Sequence, residues 1–60
     1  MITITNVPNG TPPHWNVNDP NGNHCGNVTY YPDGLDGIDI DEALKKIIAS
    51  LNGESYEVIR

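Results

Sequence analysis

The 60-residue chain has few basic residues, a single cysteine, no phenylalanine and no long apolar segment. Its 3 lysine and arginine residues against 8 acidic residues give a formal charge of −5, which argues against binding to nucleic-acid phosphates. No apolar run approaches the roughly 20 residues of a membrane span, and no basic and then hydrophobic segment resembles a secretion signal. We therefore expect a cytoplasmic protein that binds neither nucleic acid nor membrane.

Residues able to bind metal are also scarce. Cys25 alone excludes an intrachain disulfide framework, and His14, His24 and Cys25 lack the three- or four-ligand spacing of a zinc site. The sequence leaves open whether the two histidines meet on neighbouring strands. Asp19 begins a segment similar to a calcium loop, but Tyr30 stands where the bidentate glutamate belongs. We predict no bound metal and no cofactor.

The chain shows no catalytic constellation. It has no nucleophile elbow and no phosphate-binding loop. His24 and Cys25 are adjacent, and neighbours on a strand point to opposite faces, so histidine activation of this thiol is not favoured. A chain of 60 residues also seldom encloses a water-shielded cleft. We predict that the protein is not an enzyme.

A repeated turn organises the first half of the sequence. Pro-Asn-Gly or Pro-Asp-Gly begins at Pro8, Pro20 and Pro32, a spacing of 12 residues, and each tripeptide suits a tight turn. This rhythm predicts a three-stranded meander with strands at about 2–7, 14–18 and 26–31. Because Pro12 and Pro13 cannot donate to a ladder, the start of the second strand and the strand order stay open.

The second half predicts one helix and one strand. Asp39 is a good N-cap and Gly53 a good C-terminal stop for a helix over 39–53, and the alternating segment from Ser55 to Ile59 favours a strand. The whole chain, 1–60, is then a single α+β domain of order βββαβ. It consists of a small antiparallel sheet, formed by the meander plus a C-terminal strand, packed on one α-helix. The apolar stripe of this helix contains Ile40, Ala43, Leu44, Ile47, Ile48 and Leu51.

Strand alternation assigns the side chains to two faces. One face packs against the helix, and the other carries polar residues that either simply meet water or form a flat recognition surface. We predict helix contacts for Ile2, Ile4, Trp15, Val17, Val28, Tyr30, Tyr56 and Val58, with Thr3 and Thr5 on the opposite face. The predicted partner-binding residues on that opposite face are His14, Asn16, Asn18, Thr29 and Tyr31.

A second candidate contact is an acidic strip before the helix, formed by Asp33, Asp36 and Asp39. The ordinary explanation is helix capping and a favourable interaction with the helix dipole. The alternative is a strip that attracts a basic partner surface and raises the association rate.

These features favour a small acidic non-enzymatic binding protein that binds a protein partner. Its expected role is that of an inhibitor or adaptor occupying a surface of a larger protein, such as a phage-type accessory or anti-defence protein. One alternative is a homo-oligomer that binds a small polar ligand, such as a nucleotide, between subunits. Another is a structural subunit of a particle. The small core makes self-association a reasonable expectation in each case.

Overall fold

The computed structural model describes residues 1–31 and 38–60, which form a four-stranded sheet with one helix. The elements are β1 (Ile2–Val7), β2 (His14–Asn18), β3 (His24–Thr29), α1 (Ile40–Ser50) and β4 (Tyr56–Ile59). The strand order is β3-β2-β1-β4. This arrangement confirms the α+β class and the order βββαβ.

The sheet is mixed, which corrects the expectation that it is antiparallel throughout. The pairs β1–β2 and β2–β3 are antiparallel as expected, but β4 pairs with β1 in parallel. The reason is the helical crossover, since β1 and β3 both run opposite to β2 and therefore in the same direction. The helix returns the chain to the end of the sheet where β3 began, so β4 runs in the direction of β1.

The meander turns follow the predicted chemistry. The Gly10 N–H donates to the Val7 carbonyl at 3.2 Å, and the Gly22 N–H donates to the Asp19 carbonyl at 2.9 Å. The Asp19 carboxylate oxygen also accepts from the N–H groups of Asn21 and Asn23, both at 2.9 Å. The third predicted turn, 32–34, lies outside the described residues.

The strand β3 occupies 24–29, earlier than the expected 26–31. The hairpin closes where the Asp19 N–H donates to the Asn23 carbonyl at 2.8 Å, so pairing resumes directly at His24. The register then shifts between Val17 and Asn18, where β3 contains one extra residue. This bulge lies at the turn end of the β2–β3 pair.

The core lies between the sheet and α1. Trp15 and Ile4 are fully buried, and the Trp15 indole N–H donates to the Ile40 carbonyl at 2.8 Å. The Tyr30 hydroxyl donates to Asn6 Oδ1 at 2.6 Å, so this buried ring keeps its polar group satisfied. The buried apolar side chains are Ile4, Trp15, Tyr30, Ala43, Leu44 and Ile47.

Most predicted helix-facing residues lie in or beside this core, but Tyr56 does not. Its side chain is 42% exposed, although the pairing of Tyr56 with Ile2 puts both residues on one face. The helix contacts β2 and β3, and β4 lies at the far edge of the sheet beyond β1. The start of β4 therefore extends past the cover that α1 provides.

Both ends of α1 match the sequence signals. Asp39 is the N-cap and its carboxylate accepts from the Glu42 N–H at 2.8 Å. At the other end, Asn52 and Gly53 have φ of 54° and 86°, the left-handed conformation that asparagine and glycine tolerate best. Among the described residues, no helix is long and apolar enough to cross a membrane.

Candidate protein-binding face

The sheet register brings most of the predicted contact residues together on the face opposite α1. Asn16 lies between Thr5 of β1 and Asn27 of β3, and Asn18 pairs with Thr3. Residues paired across neighbouring strands share a face, so these side chains form a continuous array over three strands. We call this array the polar face; it consists of Thr3, Thr5, His14, Asn16, Asn18, Asn27 and Thr29. The same register also puts Val7, opposite His14, and His24, opposite Asn18, on this side of the sheet.

Asn16 is at the centre of the polar face and is half-buried by its neighbours. Its amide nitrogen donates to the Asn18 side-chain oxygen at 3.3 Å. Within the described residues, Asn16 Oδ1 has no hydrogen-bond partner, so one acceptor and one N–H remain for another molecule. Neutral amides and hydroxyls of this kind recognise polar groups through hydrogen bonds and without strong charge.

His14 lies at one end of the polar face and is restrained by the loop 8–13. Its Nδ1 is 2.9 Å from the Pro12 carbonyl oxygen, which assigns the proton to Nδ1 in the neutral ring and leaves Nε2 as an acceptor. A Cβ added at Gly10 would lie 2.8 Å from both the His14 ring and the Pro12 carbonyl oxygen. The backbone of Gly10 therefore packs against the ring, and the chain's own loop covers part of the face here.

The other predicted contact residues are placed differently. Tyr31 follows the end of β3, and its N–H donates to the Ile38 carbonyl at 2.8 Å, so it lies outside the ladder that builds the polar face. The carboxylate of Asp39 is engaged as the helix N-cap. Asp33 and Asp36 lie outside the described residues.

Sequence reasoning omitted Asn27 from the polar face. The signal was present, because Asn27 precedes Thr29 by two residues and strand alternation puts both on one side. Glu57 was also missed, since its position depends on the parallel pairing with Thr3. Glu57 adds one carboxylate at the β4 side of this surface, and Ile59, which pairs with Thr5 and is 46% exposed, adds an apolar side chain there.

The two histidines do not meet. His14 pairs with Thr29, whereas His24 pairs with Asn18 at the other end of the β2–β3 ladder, so four residues of β2, or roughly 13 Å, separate them. The Cys25 thiol is exposed and lies 3.8 Å from the Asn23 carbonyl. No group of three or more histidine, cysteine or acidic side chains among the described residues could hold a metal ion.

The opposite face contains an open groove of about 350 Å³ between β3 and the C-terminal half of α1. Its walls are mainly apolar, and among the described residues that line it Lys46 is the one with a charge. No sequence pattern predicted this groove, although Gly26 marks it, because a Cβ added there would meet nothing within 4 Å. Its lining includes Val17, Gly26, Val28, Lys46, Ile47 and Leu51.

Comparison with known proteins adds no assignment. No family model matches the chain, and neither curated proteins nor solved structures give a significant match. Function is therefore inferred from the geometry of the two faces.

Proposed function

We propose that the protein is a non-enzymatic binding protein that occupies a surface of a larger protein, as an inhibitor or adaptor. The observation that carries the proposal is the polar face, a continuous array on three strands that α1 leaves uncovered in the described part of the chain. A rigid sheet holds this array, so its residues lose little conformational freedom when they bind.

The shape of the polar face favours a protein over a small molecule as the ligand. Small-molecule sites are concave and surround most of the ligand. The groove found among the described residues lies on the helix side and is mainly apolar, which does not suit a nucleotide or another small polar ligand. A pleated surface of amides and hydroxyls instead matches the exposed polar groups of a folded partner.

Charge gives the expected chemistry of the partner. The chain carries −5 overall, while the polar face holds only neutral groups at its centre and Glu57 at its side. We therefore expect a partner surface that is polar in the middle and basic around the contact. Long-range attraction then accelerates association and is screened by salt, whereas the central hydrogen bonds determine the dissociation rate.

The test is affinity capture from the source cells, followed by calorimetry with the purified partner. Asn16→Arg puts a long cation into the centre of the polar face, and Ala49→Arg puts the same side chain on an exposed position of α1. We expect Asn16→Arg to weaken binding at least about tenfold, or roughly 1.4 kcal/mol, and Ala49→Arg to leave the affinity unchanged.

Circular dichroism of both variants shows whether each one keeps the native fold. Unchanged affinity of a folded Asn16→Arg variant would reject the polar face as the contact. If both variants lost the same amount of affinity, the added charge would be acting at long range, and Asn16 would not be identified as part of the contact. Failure to capture any protein at native expression would reject the proposed function itself.

A further inference from the structure

The outer edge of β3 exposes backbone groups that can pair with another strand. The Tyr30 N–H donates to the Pro13 carbonyl at 3.1 Å, so the backbone groups of Tyr30 point toward the β2 side. Along an antiparallel strand, residues whose backbone groups point toward one neighbouring strand alternate with residues whose groups point the other way. Val28 and Gly26 therefore point their backbone groups toward β2, whereas Asn27 and Thr29 point theirs away. Because β3 ends the sheet, no described strand pairs with these outward groups.

The chemistry of β3 permits a second strand to approach. The strand runs for six residues and contains no acidic residue, lysine, arginine or proline, which are the residues that commonly protect edges. Its bulge, at Cys25, lies outside the regularly paired part, 26–29. The other edge strand, β4, has four residues, includes Glu57 and is followed by Arg60. Two copies of a chain with a charge of −5 repel each other, so a neutral strand is where they can meet most easily.

We propose that a second copy of this chain binds at β3, as an antiparallel strand related by a two-fold axis that passes beside Asn27. Each Asn27 would exchange two backbone hydrogen bonds with Asn27 of the other copy. Such an arrangement uses the same surface on both copies, so assembly through β3 stops at the dimer. The proposal goes beyond the proposed function and stands whether or not a protein partner is found.

This register also fits the groove beside β3. Gly26 of one copy would lie opposite Val28 of the other, on the helix side of the joined sheet. The space beside Gly26 is open, so it can accept the partner's valine, and each copy would offer both the space and the side chain. The helix lies over β2 and β3, so two copies would bring their helices to about 10 Å apart, a normal packing distance.

Sedimentation equilibrium tests the proposal on the intact chain. An interface of one strand and part of a groove is small, so we expect reversible dimers within about 5–500 µM. Asn27→Pro removes an outward N–H and should abolish the dimer while leaving the β2–β3 ladder intact. Tyr56→Pro is the matched change on the other edge strand, at an exposed residue, and should dimerise as the wild type does.

Two outcomes for the wild type and the Asn27→Pro variant contradict the proposal. One is a wild-type chain that stays monomeric over the whole range, and the other is an Asn27→Pro variant that dimerises normally. Loss of the dimer in the Tyr56→Pro variant would assign the contact to β4 instead.

A cross-linking experiment tests the register without proline. Asn27→Cys, made together with Cys25→Ser, would place two thiols on residues whose Cα atoms are about 5.5 Å apart in the dimer. A short bismaleimide should then link these chains several-fold faster than chains with Asn21→Cys and Cys25→Ser, where the thiol lies in the exposed β2–β3 turn. Equal rates at the two positions would overturn the proposed axis.

Discussion

The two faces of the sheet differ in their chemistry and in the role that we propose for each. On the helix side, Ile4 and Trp15 have no solvent exposure, and they pack together with the buried residues of α1. On the opposite side, Thr5 and Asn16 pair across β1 and β2 and are only partly buried. Because side chains alternate along a strand, a core residue and a residue of the proposed recognition surface are direct neighbours in the sequence.

Trp15 shows how much of the fold one position supports. Its ring lies 6.3 Å from the Tyr30 ring and its indole N–H bonds to the Ile40 carbonyl at the start of α1. The Arg60 guanidinium lies 5.7 Å from the same ring and forms an exposed ion pair with Asp41 at 3.3 Å. The indole of this β2 residue thus contacts the segment after β3, the start of α1 and Arg60.

The largest expected effect comes from truncating this residue. Trp15→Ala should destabilise the domain by about 3–5 kcal/mol, because it leaves a cavity at a fully buried site and removes the bond to α1. A small domain has little stability in reserve, so we expect the variant to be largely unfolded at room temperature. Because the variant lacks tryptophan fluorescence, its free energy of unfolding in urea should be measured by far-ultraviolet circular dichroism.

The control for Trp15→Ala is the next residue along the strand. Asn16→Ala changes the polar face and should alter the free energy of unfolding by no more than about 0.5 kcal/mol. Comparable losses at the two positions would show that the polar face also stabilises the fold, and the division between the faces would then be wrong.

A smaller effect tests the one place where a loop covers the polar face. Gly10→Ala would force a Cβ to 2.8 Å from the Pro12 backbone oxygen, which cannot move away as a flexible side chain could. We expect a loss of about 1–3 kcal/mol and a displaced His14 ring. Thermal unfolding and the chemical shifts of the His14 ring protons report the two changes.

Gly26→Ala is the matched substitution at an uncrowded position. Its Cβ would meet nothing within 4 Å, and alanine restricts the unfolded chain, so stability should stay equal or rise by about 0.5–1 kcal/mol. Both variants should be compared at a concentration where the chain is monomeric. A Gly10→Ala variant as stable as the wild type would mean that the loop is not packed on His14.

Local signals in the sequence were enough to predict the helix, the first two turns and the faces. The apolar spacing from Ile40 to Leu51 and the cap at Asp39 act within a few residues, as does the bond from Asp19 to its own turn. Alternation likewise assigned Ile4 and Trp15 to the core. Each of these predictions needs only contacts between near neighbours in the chain.

The features that sequence reasoning missed depend on distant residues. The direction of β4 follows from the return path of the chain after α1, and no residue within 56–59 specifies it. The groove depends on where α1 lies relative to Gly26, and the cover over His14 depends on the path of the loop through Gly10. These relations become visible only when the elements are packed together.

The smallest expected effect separates a structural acid from a surface acid at the start of α1. Asp39→Ala removes the oxygen that accepts from the Glu42 N–H and should cost about 1 kcal/mol. Asp41→Ala breaks an ion pair whose side chains are 60% and 66% exposed, so its effect should stay below about 0.5 kcal/mol. If the two substitutions were equal in urea unfolding, the Asp39 carboxylate would be free of the cap and available to a basic partner.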